Sequence, residues 1–169
     1  GLSSMQLDSL DRGFSYTKDS FLDMRFDKDA PVSAADILNK SSESELADII
    51  YKYGEERRSR SIASRIIKTR PIINVQDLVN AIKKSTPPYK RNKTMARVFQ
   101  AFRIVVNKEL EKLSEFLSKY LEYLEKGGKI IIISFHSLED RLVKRNFKDY
   151  NKSGLLKILT KKPMVATDM

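Results

Sequence analysis

Lys129-Ile-Ile-Ile-Ile-Ser-Phe-His-Ser-Leu-Glu-Asp-Arg141 is the stretch on which the fold reading turns. Four consecutive isoleucines after Gly127-Gly128 have the composition of a short strand buried on both faces, as inside a parallel sheet. Polar residues then arrive abruptly at Ser134, His136 and Ser137, before a charged helical pattern resumes at Leu138. Ligands of open α/β sheets sit just beyond the carboxyl ends of the strands. This corner holds the only histidine of the chain, so it is a candidate active-site wall.

Upstream of this stretch, Phe99, Phe102, Val106, Leu110, Leu113, Leu117, Tyr120, Leu121 and Leu124 keep helical spacing, with Gly127 as the stop. A helix of ~30 residues would be ~45 Å long, which invites a kink. Downstream, a helix over 138–150 precedes Leu155-Leu156-Lys157-Ile158-Leu159, which reads as one more strand. Helix, Gly-Gly, strand, polar corner and helix make half of a doubly wound α/β unit. Two strands cannot bury both faces of a sheet, so the chain is expected to be the later part of a larger α/β domain. It has no Gly-rich strand-to-helix turn of the kind that receives a nucleotide cofactor.

Residues 1–26 show no periodic element, and a loop that long is uncommon in a compact domain unless it is functional. Ser33 is a candidate N-cap for a short helix through Leu38. Ser42 with Glu45 forms the pattern of a capping box, and Gly54 is placed to end that second helix. A third helix over 55–69 gathers Ile62, Ala63, Ile66 and Ile67 on one side and Arg57, Arg58, Arg60, Arg65 and Lys68 on the other. A fourth, over 75–83, leads to Thr86-Pro87-Pro88-Tyr89. That sequence mimics a base-gripping corner of amino-methylating enzymes, but it follows a helix and reads as a stiff turn.

Charge is concentrated. Lys52–Arg103 carries 14 Lys+Arg against 3 Asp+Glu, while the rest of the chain is almost balanced, so this third accounts for the excess of the overall +10. Polyanion binding by this region follows, through the Arg57–Lys68 face. With no cysteine and one histidine, neither disulfides nor a zinc site is expected, and the setting is read as cytoplasmic. No apolar run approaches the ~20 residues of a membrane span.

Three stretches together carry a family resemblance. The first is Gly1-Leu-Ser-Ser-Met-Gln-Leu-Asp8 with Arg12-Gly-Phe-Ser15 and Leu22-Asp-Met-Arg25. The second is Tyr53-Gly-Glu-Glu56 with Phe99-Gln-Ala-Phe-Arg-Ile104 and Asn107-Lys-Glu-Leu110. The third is Ile133-Ser-Phe-His-Ser-Leu-Glu-Asp-Arg141. In this order they resemble the RsmH (MraW) family, S-adenosyl-L-methionine-dependent methyltransferases acting on the exocyclic N4 amine of a cytidine in 16S ribosomal RNA of the small subunit.

The resemblance implies the C-terminal half of a Rossmann-like methyltransferase sheet with an inserted all-helical domain. Residues 1–30 would be the active-site loop region, 31–97 the RNA-binding insertion and 98–169 the C-terminal part of the methyltransferase domain. The family's N-terminal cofactor-binding part and its basic tail would lie outside this chain. Of the cofactor contacts, only Gln6 carries over. Ser134, Phe135, His136 and Ser137 would frame the target base, Asp23 would help organise the other wall, and Arg12 and Arg25 would join the α-helical basic face in touching RNA. A competing expectation is a non-catalytic RNA-binding or ribosome-assembly factor with a degenerate methyltransferase fold.

Overall fold

A computed structural model describes residues 12–160 and 162–164. The chain divides into two compact units, Leu2–Glu109 and Leu110–Met169. The described residues fold into helices, and no strand is paired among them; a single antiparallel bridge joins Phe21 and Asn74.

The first unit holds α1 (Ala34–Lys40), α2 (Glu43–Gly54), α3 (Ser59–Thr69), α4 (Val75–Ser85) and α5 (Arg91–Asn107). Three of these starts are written locally. Ser33 caps α1 and Ser42 caps α2, and both close a capping box through Asp36 and Glu45. Asn74 and Asp77 do the same for α4. The apolar stripes then meet: α2 packs on α3 and α5, and α4 on α3 and α5. Leu38, Leu46, Ile50, Ile62, Ile66, Leu78, Ile82 and Phe102 are fully buried there. Leu22 and Met24, from the loop before α1, are sealed into the same core.

The box at α1 carries a pH prediction. The Asp36 carboxylate lies 2.8 Å from Lys40 Nζ and accepts from the Ser33 backbone N–H and hydroxyl at 3.0 and 2.6 Å. Those contacts, the Lys40 bond first, hold its pKa far below the usual carboxylate range. A depressed folded pKa means stability that is present above about pH 4, the ordinary Asp value, and drains away as pH falls toward the folded one. Asp36→Ala should cost about 1 kcal/mol at neutral pH, the typical worth of such a cap. Urea midpoints of the variant and parent should converge as pH is lowered from 5 to 2.

The second unit holds most of α6 (Glu109–Lys119), a 3₁₀ turn over Tyr120–Tyr123, and α7 (Ser137–Lys152). Leu117, Tyr120 and Val143 form its core, with Ile130, Ile132, Phe147 and Tyr150 packed on them. Burial pushes the Tyr120 phenol pKa up.

Three expectations are corrected. The long helix read through Leu124 is two: Lys108 takes a left-handed conformation (φ 51°) between α5 and α6, and the α-helix ends at Lys119, where the 3₁₀ turn takes over. Gly127 closes a tight turn, Glu125–Gly128, instead of a helix. Most important, the expected α/β sheet is absent among the described residues. The tetra-isoleucine stretch is not a sheet strand. A strand's N–H and C=O groups pair only with a neighbouring strand, and no described segment supplies one. Ile130 and Ile132 pack inward while Ile131 and Ile133 are 79 % and 75 % exposed, so one face is covered rather than two. The second expected strand wraps the end of α7 instead. Gly154 is left-handed (φ 76°), and the Leu155 N–H turns back to the Tyr150 carbonyl at 3.0 Å.

Candidate functional site

In the second unit, the polar corner is the N-terminus of α7. His136 is its N-cap, in extended conformation, and its Nδ1 accepts from the Glu139 N–H at 3.4 Å. Glu139 answers by accepting from the Phe135 N–H at 2.8 Å and lies 3.7 Å from His136 Nε2. The two side chains thus fix each other, and the imidazole is only 7 % exposed. Ser137 opens the helix, Ser134 is half-buried, and the Phe135 ring is left 67 % exposed. A capped helix start therefore leaves an aromatic ring open to solvent.

In the first unit, Asp23, Arg25 and Arg12 come together in the loop before α1. Arg25 Nε donates to Asp23 Oδ1 at 2.5 Å, and its Nη1 donates to the Ala30 carbonyl at 2.6 Å. The Asp23 bond raises the Arg25 pKa. The Arg12 guanidinium donates to the Arg25 and Phe26 carbonyls and lies 5.8 Å from the Phe14 ring centroid. Gly13 is left-handed, and a Cβ there would stand 2.8 Å from the Phe21 carbonyl oxygen, so the turn accepts only glycine without strain. Both arginines spend donors on shaping this loop. Gln6 lies outside the described residues.

Sequence reading did not single out Asn107 as the organiser of that loop. Its buried amide accepts from the Phe26 N–H at 2.7 Å and donates to the Met24 carbonyl at 2.7 Å. Nor did it assign Glu56, a buried carboxylate that accepts from the Arg58 N–H, Thr94 Oγ1 and Arg97 Nη1. An Asn or Glu inside a quoted motif, flanked by helix ends, was the only available signal for either.

The basic face is built on α3. Ile62, Ala63 and Ile66 are buried, whereas Arg57, Arg60 and Lys68 are exposed, and Arg58 and Arg65 are half-buried. Asp77 is the sole acid between Arg57 and Lys108, and it is committed to the N-terminus of α4. Elsewhere in the unit, Lys40, Lys52, Arg97 and Arg103 each sit on a carboxylate. Arg65, Lys68 and Lys84 have no such partner among the described residues. They line a shallow cleft of about 210 Å³ with Ser61, Ser64 and Ser85.

Known proteins share this pattern of residues from end to end. A family description, the MraW methylase family, matches residues 1–169. Ribosomal RNA small subunit methyltransferase H of Nostoc sp. is 53 % identical over 99 % of this chain and 56 % of its own length. The proteins of the same name from Nostoc punctiforme and Gloeothece citriformis are 52 % and 51 % identical, over 99 % and 98 % of this chain and 56 % and 55 % of theirs. The chain thus spans little more than half the length of these curated relatives. A family description that covers every residue, and relatives with more than half of their aligned positions identical, lead to one conclusion: the chain belongs to the MraW methylase family.

Proposed function

We propose that the full-length protein transfers a methyl group from S-adenosyl-L-methionine to the N4 amine of a cytidine in 16S ribosomal RNA, on the small ribosomal subunit. The observation that carries this reading is the match along the whole chain to relatives named ribosomal RNA small subunit methyltransferase H. The acid-poor cationic surface of α3 supports an RNA substrate, because a face of unpaired cations gains by releasing counterions from phosphates.

The α3–α4 cleft does not suit the donor. The α3–α4 cleft is below the ~300 Å³ of a drug-sized ligand pocket. Its cations would repel a sulfonium. Gln6 keeps the role that the resemblance gives it. Most of the donor site is assigned to the part of the relatives that this chain does not span.

The chain's own contribution is positioning. Phe135 supplies an exposed ring for stacking an extruded pyrimidine, and Ser134 and Ser137 are the hydroxyl residues of the same turn that this reading assigns to the base edge. His136, locked by Glu139, holds that turn and is the candidate to orient or relay a proton. The Asp23–Arg25 pair is a second preorganised polar element, in its own unit.

Two substitutions separate chemistry from capping at His136. Asparagine is itself a strong N-cap, so His136→Asn keeps the end of α7 satisfied. In the full-length enzyme it should lower methyl transfer into undermethylated small subunits at least tenfold, with an unchanged melting temperature. His136→Ala should lose both rate and stability. Full activity in His136→Asn would reduce the histidine to a cap.

A further inference from the structure

We infer that the cleft between α3 and α4 is a discrete phosphate subsite that takes one backbone phosphodiester of the RNA; this rests on the RNA reading above. Ser61, Ser64, Arg65 and Lys68 follow one another at i, i+3, i+4 and i+7, so a single stripe of α3 feeds the cleft from one side. Lys84 and Ser85, from the last turn of α4, close the other. The lining is rich in donors and holds no carboxylate. Arginine, lysine and serine hydroxyls together match the acceptor oxygens of a phosphate. The volume, about 210 Å³, is several waters wide yet short of a whole drug-sized ligand.

Two features make this a built place rather than a diffuse positive surface. A helix C-terminus is ordinarily hostile to anions, because its free carbonyls carry partial negative charge. Here arginines meet part of that end. Arg91 donates to the Lys83 and Thr86 carbonyls at 3.3 and 3.2 Å, and Arg58 reaches the Ser85 carbonyl at 3.5 Å. Those arginines are consumed in neutralising the helix end, which leaves Arg65, Lys68 and Lys84 for a ligand. The second feature is the apolar stripe of α3. It is buried in the core, so the helix has nothing to insert into a bilayer, and an anionic membrane surface is disfavoured as the occupant. Lys84 was outside the basic face read from the sequence.

The test uses the intact chain. Titration with inorganic phosphate, at ionic strength matched with chloride, should move backbone amide resonances of residues 61–68 and 84–85 and few others. Anisotropy of a labelled small-subunit RNA hairpin across a potassium chloride series should then show Lys68→Gln and Lys84→Gln each losing about 3- to 10-fold in affinity and about one unit of salt slope. Arg60→Gln, on the same helix but outside the cleft, should lose less. Shifts scattered over the whole cationic surface, or variants no weaker than Arg60→Gln, would overturn the subsite while leaving RNA binding intact. Localised phosphate shifts without any RNA affinity would overturn the RNA occupant and the functional reading with it.

Discussion

Replacing Asn107 by alanine should lower the unfolding free energy of the chain by about 3 kcal/mol, because a buried and a half-buried backbone group lose their partners at once. The Asn107 amide accepts the Phe26 N–H, donates to the Met24 carbonyl at 2.7 Å, and donates to the Arg103 carbonyl at 2.9 Å within α5. Water cannot take over inside a site that is only 6 % exposed. Strain adds to the cost. Met24 is fully buried and left-handed (φ 59°), a conformation that costs a non-glycine residue about 1–2 kcal/mol unless its surroundings hold it. Its N–H is held by the Arg12 carbonyl at 2.8 Å and its carbonyl by Asn107. Cutting the second tether frees the loop that carries Asp23 and Arg25. Urea unfolding should show the drop, and hydrogen exchange at the Phe26 amide should accelerate well beyond that of the α3 amides. A loss under 1 kcal/mol, with Phe26 still protected, would remove Asn107 from this role.

What the sequence revealed, and what it hid, divides along the range of the interactions. The starts of α1 and α2 were legible because their caps are local: Ser33 with Asp36 and Ser42 with Glu45 satisfy their own helix ends within four residues. The two-sided pattern of α3 was legible for the same reason, since it needs only one helical period. The isoleucine run was misread because composition reports what a segment can do with a partner, while a strand exists only with one. Ile131 and Ile133 are exposed, and no strand pairs with their backbone among the described residues. The break at Lys108 was equally hidden: helical spacing of apolar residues continues through it, and nothing in a lysine announces a left-handed turn. At the candidate site, the corner residues 134–137 were singled out by their abrupt polarity. Asn107 was missed, because its partners lie more than 80 positions away.

Gly54 ends α2, as its place in the sequence suggests, and its role there yields the second large effect. Glycine after a helical pattern suggests a left-handed terminator. In the structure that conformation belongs to the next residue, Glu55 (φ 50°), and Gly54 is the last helical residue of α2. Its role is contact. A Cβ there would stand 2.7 Å from the Arg97 carbonyl oxygen and 3.3 Å from Ala101 Cβ on α5. The first neighbour is backbone and cannot swing away, so α2 must lift off α5 and loosen the packing around Ile50 and Phe102. Overpacking of this kind costs about 1–3 kcal/mol, against a gain of up to about 1 kcal/mol from alanine's better helix propensity. Gly54→Ala should therefore destabilise by about 2 kcal/mol. Gly127→Ala separates the two accounts, because Gly127 is left-handed (φ 83°) with nothing within 4 Å of its missing Cβ. Its cost should be the conformational one alone, about 1 kcal/mol. Exchange of the α5 amides completes the comparison: it should speed up in Gly54→Ala and stay unchanged in Gly127→Ala. Equal losses in the two variants, with α5 undisturbed in both, would mean that helix termination rather than close approach fixes glycine at position 54.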